Sequence, residues 1–127
     1  MPKPTIDQLA AERYINLVTF RKNGVGVPTP LWIARIGDKL YAFTDGTSAK
    51  MKRLKASDRI QIAACDARGN VRGEYLEGHA RKIGDPAMAE RVLAALTQKY
   101  GWQLRVLSVF SRLAGRINRR AYIEIDI

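Results

Sequence analysis

The sequence has few of the side chains from which metal centres and nucleophilic active sites are built. Its 127 residues contain one cysteine, Cys65, and one histidine, His79. A single cysteine cannot form an intramolecular disulfide, and these ligands give no metal site at ordinary spacing. We expect Cys65 to be a small core residue, because it lies in an apolar stretch, and His79 to have a structural or surface role.

Long hydrophobic runs and nucleotide-binding signatures are also missing. No apolar run approaches the roughly 20 residues of a membrane-spanning helix, and the N-terminus lacks an apolar stretch of signal-peptide length. Neither GxxxxGK nor GxGxxG occurs, which argues against nucleoside triphosphatase and Rossmann chemistry. With the unpaired cysteine, these absences predict a soluble, cytoplasmic protein with no membrane partner.

Acidic residues are scarce. The sequence has 12 Asp and Glu but 22 Lys and Arg, which gives a net charge of +10. Such a charge attracts nucleic acid, phosphorylated cofactors or acidic membrane surfaces. Nucleic acid is disfavoured, because the strands lack the interleaved aromatic and basic residues of stacking platforms. The cations concentrate in the segment "KMKRLK" (50–55) and in a C-terminal group: Arg112, Arg116, Arg119 and Arg120. We interpret that group as the solvated face of a helix; the alternative is that it attracts an acidic cofactor tail or substrate.

The chain length suits one domain, residues 1–127. Hydrophobic periodicity predicts helices over 5–13 and 104–117, and Asp85 followed by proline predicts the start of another helix that continues to Gly101. Strands are predicted over 14–20, 27–36, 39–44, 59–66, 71–83 and 121–127. Antiparallel connections dominate this order. It therefore predicts a mainly β fold, a small six-stranded antiparallel barrel with accessory helices.

Turn and proline signals locate the first two strands. Asn23-Gly24 is a strong hairpin signal, so the strands on either side of it should pair antiparallel. Pro28 and Pro30 lie two apart in the second strand. Because proline cannot donate to a ladder, that half of the strand should lie at a sheet edge or beside a ligand.

The segment "TDGTSAKMKRL" (44–54) combines a small-residue turn, hydroxyls and three cations directly after a strand. A helix beginning near Ser48 would present free backbone N–H groups, which Thr47 and Ser48 could cap or share with an anion. Lys50 and Arg53 would be neighbours on that helix, and Met51 and Leu54 would anchor its other face. The segment is either a phosphate site or an ordinary solvated helix.

Three blocks of the sequence carry a resemblance to a known family: "YINLVTFRKNGVGVPTPLW", "LYAFTDGTSAKMKRL" and "RIQIAACDARG". In their mutual spacing, and above all in "T-x-x-x-S-x-K-x-K-R-L" and "P-x-W", they resemble the pyridoxamine-phosphate-oxidase-like split β-barrel flavoproteins, particularly the deazaflavin (F420)-dependent oxidoreductases. The resemblance covers roughly residues 14 to 83. Leu31 stands where such sequences often carry valine.

The resemblance implies a six-stranded antiparallel split β-barrel that dimerises and binds its cofactor at the subunit interface. It implies that the cofactor phosphate contacts the basic turn and that the ring lies along the strand from Thr29 to Trp32. The cofactor-binding residues implied are Thr29, Pro30, Trp32, Thr44, Ser48, Lys50, Lys52 and Arg53. Tyr41 and Tyr75 could also stack on a ring, although core packing is the simpler role for Tyr41.

The function implied is an oxidoreductase that transfers hydride between F420 and a conjugated organic acceptor. In such proteins the cofactor carries the hydride, so no catalytic side chain has to be found. FMN is the alternative cofactor, because it has a single phosphate of the same kind. A non-catalytic flavin, haem or bilin carrier on the same barrel is equally compatible with the residues. The net positive charge favours F420, whose tail is polyanionic.

Overall fold

The structure is a computed structural model that describes residues 5–46, 48–113 and 120–127, without the side chains of 110–112. In chain order its elements are α1 (Ile6–Ala11), β1 (Tyr14–Phe20), β2 (Gly26–Leu31), β3 (Ile33–Ile36), β4 (Lys39–Asp45), α2 (Ala49–Ala56), β5 (Arg59–Cys65), β6 (Leu76–Lys82), α3 (Pro86–Tyr100), α4 (Trp102–Leu113) and β7 (Arg120–Asp126). The fold is mainly β with accessory helices, as predicted.

The strands form one sheet, in the order β2-β1-β5-β6-β7-β4-β3, and every pair in it is antiparallel. The two edge strands, β2 and β3, are consecutive in the chain and only Trp32 separates them. One residue spans at most about 3.6 Å, so the sheet must curl until its two edges meet at Trp32. The predicted edge position of the proline-containing strand is confirmed, since β2 pairs only with β1 in this order.

The predicted count of six strands is wrong, because the structure has seven. The stretch predicted as one strand over 27–36 divides at Trp32 into β2, which pairs with β1, and β3, which pairs with β4. The segment "VPTPLWIARI" has no turn residue at Trp32 that would indicate this division. The sheet is therefore open, with two edges joined by the backbone rather than by a ladder of hydrogen bonds.

Two other predicted boundaries move. The strand predicted over 71–83 is regular only from Leu76, because Asp66 holds a tight turn by accepting hydrogen bonds from the backbone N–H groups of Arg68 and Asn70 at 2.8 and 3.0 Å. The helix predicted over 104–117 begins earlier, at Trp102, and is described to Leu113. Within the described residues, no helix is long and apolar enough to cross a membrane.

Helix starts follow their capping residues. Thr5 and Gln8 form a reciprocal capping box at α1, and Asp85 caps α3 with proline at its first position. The Asn23-Gly24 hairpin is also confirmed, with Gly24 at a φ of 86°, a conformation that costs glycine little. Local sequence signals therefore determine these element starts.

Two apolar cores lie on opposite faces of the sheet. The inner core fills the curl of the sheet and includes Ile15, Leu17, Ile62, Ile123 and Ile125, with Leu9 of α1 and Met51 and Leu54 of α2 packed into it. The outer core joins Ala34 and Tyr41 to Val92, Leu96 and Tyr100 of α3 and Leu104 of α4. Tyr41 is thus a core residue, as predicted, and α2 is the helix that packs on the inner core beside β1.

Candidate functional site

Helix α2 begins shortly after β4, in the segment for which the sequence allows either a phosphate site or an ordinary solvated helix. Ser48 is its N-cap, and the Ser48 hydroxyl accepts a hydrogen bond from the Met51 backbone N–H at 3.4 Å. Met51 and Leu54 are buried in the inner core. The predicted helix start and the predicted anchoring face are therefore confirmed. Thr47, the other predicted cap, lies outside the described residues.

Lys50 is the unusual residue of this helix, because only 8% of its surface is exposed. Its ammonium group donates a hydrogen bond to the Thr44 hydroxyl, with Nζ and Oγ1 at 2.9 Å. Burial lowers the pKa of Lys50 below its usual 10.5, the nearby Arg53 lowers it further, and Asp45 opposes the shift. The side chain is thus a cation whose charged form an additional anion would stabilise.

Arg53 lies one turn further along α2 and contacts a different strand. Its Nε donates a hydrogen bond to the Thr19 hydroxyl of β1, with the two atoms at 2.6 Å. Thr19 is buried. The two cations are therefore fixed at the same end of the sheet by two neutral hydroxyls, one on β1 and one on β4. Lys52, between them in sequence, is exposed to solvent.

The edge strand β2 carries the residues predicted to lie along a ring. Thr29 pairs with Leu17 and Pro30 with Asn16 across the β1–β2 ladder. Side chains directly opposite each other share a sheet face, so Thr29 lies on the inner face, the one on which Arg53 meets Thr19. Pro30 lies on the outer face. The structure thus places Thr29 on the same face as the basic turn.

Trp32, the third predicted ring contact, packs against α3. Its ring stacks on Tyr100, with centroids 4.5 Å apart and planes inclined by 7°. The Tyr100 hydroxyl accepts a hydrogen bond from the Ile33 backbone N–H at 3.0 Å and donates one to the Arg13 carbonyl at 2.6 Å. One face of the Trp32 ring is therefore occupied by the protein, which leaves at most the other face to a ligand.

Asn16, a residue that the sequence did not single out, has an unpaired buried atom. Its Nδ2 donates to the Gly69 carbonyl at 3.1 Å and to the Tyr75 hydroxyl at 3.4 Å. Its Oδ1 is buried and has no hydrogen-bond partner among the described residues. Buried polar atoms are nearly always paired. Oδ1 is thus a buried acceptor, on the strand position that pairs with Pro30.

Both residues that the sequence analysis missed are polar members of the buried strand β1. Asn16 and Thr19 interrupt the apolar run "YINLVTF", and each is almost fully buried. A polar side chain inside such a strand must find a partner, which is the signal that could have identified them. Their partners, Gly69, Tyr75 and Arg53, are distant in sequence.

A second group of charges lies where β6 pairs with the last residues of β7. A cavity of about 180 Å³ is lined by Lys39, Asp58, His79, Ala80, Arg81, Glu124 and Asp126. Burial favours the neutral form of Glu124, yet hydrogen bonds from Lys39 and Arg81 outweigh it, so the net effect lowers the pKa of the Glu124 carboxyl. His79 contacts Asp58 at 3.2 Å on the surface, the kind of role predicted for it.

This cavity contains acidic as well as basic side chains, so it has less excess positive charge than the basic turn. Within the described parts of the chain, no group of three or more His, Cys, Asp or Glu side chains could hold a metal ion. Cys65 is buried, and burial raises the pKa of its thiol. A thiol in that state is a poor nucleophile.

Comparison with protein families identifies the chain. Residues 3–127 match the family model described as pyridoxamine 5'-phosphate oxidase. The protein belongs to the pyridoxamine 5'-phosphate oxidase family. The match spans the basic turn, β2 and both cores, so the resemblance noted in the sequence is confirmed at the level of the family. Among proteins with curated functions, none matches the sequence significantly.

Solved structures with a similar fold include proteins whose names indicate different ligands. An F420 reductase is 18% identical, with a TM-score of 0.62, and the match covers 99% of this chain and 94% of that one. The haem storage protein HutZ from Vibrio cholerae is 9% identical, with a TM-score of 0.69 and coverages of 91% and 82%. An FAD-binding protein from Mesorhizobium loti is 19% identical, with a TM-score of 0.59 and coverages of 94% and 82%. At these identities the similarity establishes the fold alone.

Proposed function

We propose that the protein is an oxidoreductase that binds F420 through its phosphate at the start of α2 and transfers hydride to a conjugated organic acceptor. The observation that carries the proposal is the pair Lys50 and Arg53. Lys50, in the first turn of α2, and Arg53, in its last turn, are each held by a buried threonine hydroxyl. A phosphate at this position would receive charge-assisted hydrogen bonds and would face the positive end of the helix.

The residues of this chain divide into two groups around such a cofactor. Ser48, Lys50, Lys52 and Arg53 would hold the phosphate, with Thr44 orienting Lys50. Thr29, Pro30 and Trp32 would lie along the ring.

The bound cofactor would supply the hydride, and the protein would supply binding, orientation and exclusion of water. The stacked Trp32 and Tyr100 would form a rigid support at the point where β2 and β3 separate. We propose that the protein is a homodimer whose partner subunit completes the ring site, since β2 is an edge strand and its outer face is available. Light scattering tests that assembly directly: a monomer with undiminished cofactor affinity would contradict it.

The choice of F420 over FMN rests on charge. With a net charge of +10, the protein should favour the polyanionic tail of F420 over the single phosphate of FMN. The similarity of fold to an F420 reductase supports this cofactor and the FAD-binding protein supports a flavin. FMN is thus the alternative cofactor at the same phosphate site.

The activity is tested by following the oxidation of reduced F420 in the presence of the protein and a panel of enones, quinones and nitroaromatic compounds. Acceptor-dependent oxidation that disappears in the Lys50→Ala, Arg53→Ala double variant would support the proposal. Tight cofactor binding without turnover on any acceptor would instead favour a carrier function. The same assay with reduced FMN distinguishes the two cofactors.

A further inference from the structure

Helix α4 has two apolar faces, of which the fold covers one. Leu104 is buried in the outer core against α3. On another face lie four apolar side chains that solvent reaches: Trp102, Val106, Val109 and Leu113, exposed to 72, 45, 58 and 80%. Their spacing of four, three and four residues aligns them along one side of the helix. We call these four residues the α4 stripe.

The stripe is too large and too apolar for an ordinary surface. Single exposed apolar residues are common, whereas a contiguous row ending in a tryptophan marks an interaction site. The sequence analysis assigned Val106 and Leu113 to the apolar face of this helix, and the structure leaves that face uncovered. Something outside the described chain must therefore cover it.

The charges around the stripe indicate what covers it. From Trp102 to Ile123 the sequence contains five arginines and no Asp or Glu. Arg105 is exposed on α4 itself, between the first two residues of the stripe. Two copies of this segment would bring like charges together, which opposes pairing of one α4 stripe with another. A surface that is both apolar and anionic fits both features.

We propose that α4 lies on anionic lipid bilayers, with the α4 stripe inserted among the acyl chains and the exposed Arg105 at the headgroups. A helix with Trp and Leu along an apolar stripe and an exposed arginine beside that stripe, as Arg105 is here, is the kind that binds at a membrane interface without crossing it. Each basic residue near an anionic surface adds attraction, which salt screens. The protein would therefore attach reversibly, as a peripheral protein, in contrast to the absence of a membrane partner predicted from the sequence.

A groove beside the stripe supports this orientation. It has a volume of about 310 Å³ and is lined by Leu93, Thr97, Leu104, Arg105, Ser108 and Val109, between α3 and α4. Its walls are mostly apolar and Arg105 stands at its side. This combination suits a lipid with an anionic headgroup and an aliphatic chain. The basic turn of α2 is a separate site, so lipid binding does not depend on the cofactor proposal.

The test is binding of the 127-residue protein to vesicles made of equal amounts of phosphatidylglycerol and phosphatidylcholine, with pure phosphatidylcholine vesicles for comparison. Sedimentation measures the bound fraction, and tryptophan emission reports insertion. The protein has two tryptophans, and Trp32 is stacked on Tyr100, so a blue shift would come from Trp102. We expect binding to the anionic vesicles, a blue shift, and weakening as salt increases.

The Val109→Ser, Leu113→Ser double variant removes two residues of the stripe and should lower vesicle affinity about tenfold or more. A matched control is Val25→Ser, Val71→Ser, which changes two exposed valines elsewhere on the surface and should bind as the wild type does. Failure to bind anionic vesicles at low salt would overturn the proposal. Equal vesicle binding by the stripe variant and the wild type would also overturn it. A third contrary result would be a wild-type dimer that binds no vesicles and that the stripe substitutions convert to a monomer in light scattering.

Discussion

Lys50 and Thr44 are joined by a hydrogen bond of 2.9 Å between the lysine ammonium group and the threonine hydroxyl. Thr44 lies near the end of β4 and Lys50 in the first turn of α2, so the bond spans the turn between them. It holds a buried cation at the point where the helix presents its free N–H groups. Together with the bond from Arg53 to Thr19, it fixes two cations of α2, the arrangement on which the proposed phosphate site rests.

Removing both cations should abolish most of the phosphate affinity. The Lys50→Ala, Arg53→Ala variant should bind F420 or FMN more weakly by a few kcal/mol, because each charge-assisted contact contributes roughly 1.5–3 kcal/mol. Fluorescence titration measures this loss. Riboflavin, which has no phosphate, should bind both proteins alike, and a Lys22→Ala, Lys55→Ala variant controls for net charge. Unchanged FMN and F420 affinity would exclude this turn as the phosphate site.

The pH dependence of binding should report the state of Lys50. Burial and Arg53 lower its pKa below the usual 10.5, so free protein loses this charge at a lower pH than an ordinary lysine does. A bound phosphate favours the protonated form, so affinity should fall as pH rises, beginning below the usual lysine pKa of 10.5. Lys50→Arg keeps the charge and should flatten the profile. Parallel profiles for the two proteins would contradict this role of Lys50.

Thr19 should act by positioning Arg53, since it lies behind the guanidinium at 2.6 Å. Thr19→Val keeps the shape of the side chain but removes the hydroxyl, and it should weaken cofactor binding about tenfold, the effect of one lost hydrogen bond to a charged group. Thr19→Ser restores the hydroxyl and should recover the affinity. If valine and serine variants bind equally well, Thr19 has no such role, provided that circular dichroism shows both folded.

Lys99 should contribute to stability rather than to binding. Its ammonium group donates to the carbonyls of Ala10, Glu12 and Ile33 at 2.9, 2.5 and 2.8 Å. These bonds join α3 to the end of α1 and the start of β3. Lys99→Met leaves three carbonyls without this donor and should reduce the free energy of unfolding by about 2–3 kcal/mol. Urea denaturation measures it, and Lys55→Met on the surface of α2 should change stability little.

Lys99 also gives the stability a pH dependence. Burial lowers its pKa to about 8 from 10.5, so the unfolded chain binds more protons than the folded protein between these values. Stability therefore rises with pH across this window. The difference in stability between wild type and Lys99→Met should grow from pH 8 toward pH 10.5. A difference that shrinks in this window would show that the pKa is not lowered.

The local features of the fold could be predicted from the sequence. Thr5, Ser48 and Asp85 cap their helices because their side chains satisfy free N–H groups nearby in the chain. The Asn23-Gly24 turn and the edge position of β2 follow from the conformations that glycine and proline allow. These signals act over a few residues, so a single sequence reveals them.

The features that the sequence did not reveal depend on contacts between distant segments. The division of one predicted strand at Trp32 occurs because β3 pairs with β4 and Trp32 stacks on Tyr100, 68 positions further along the chain. The basic turn was identified, but its partner Thr19 was not, because no local pattern relates β1 to α2. Whether the apolar face of α4 is covered depends likewise on how α3 and α4 pack together.

The most direct test of the phosphate site is a paired titration of the cofactor-free protein with F420 and with FMN, at low and moderate salt. The account predicts tight F420 binding, weaker FMN binding, and loss of both in the Lys50→Ala, Arg53→Ala variant. Preference for FMN would keep the site but change the cofactor. Binding of neither cofactor by the wild-type protein, or haem binding that the double variant leaves unchanged, would contradict the assignment of the basic turn as a cofactor phosphate site.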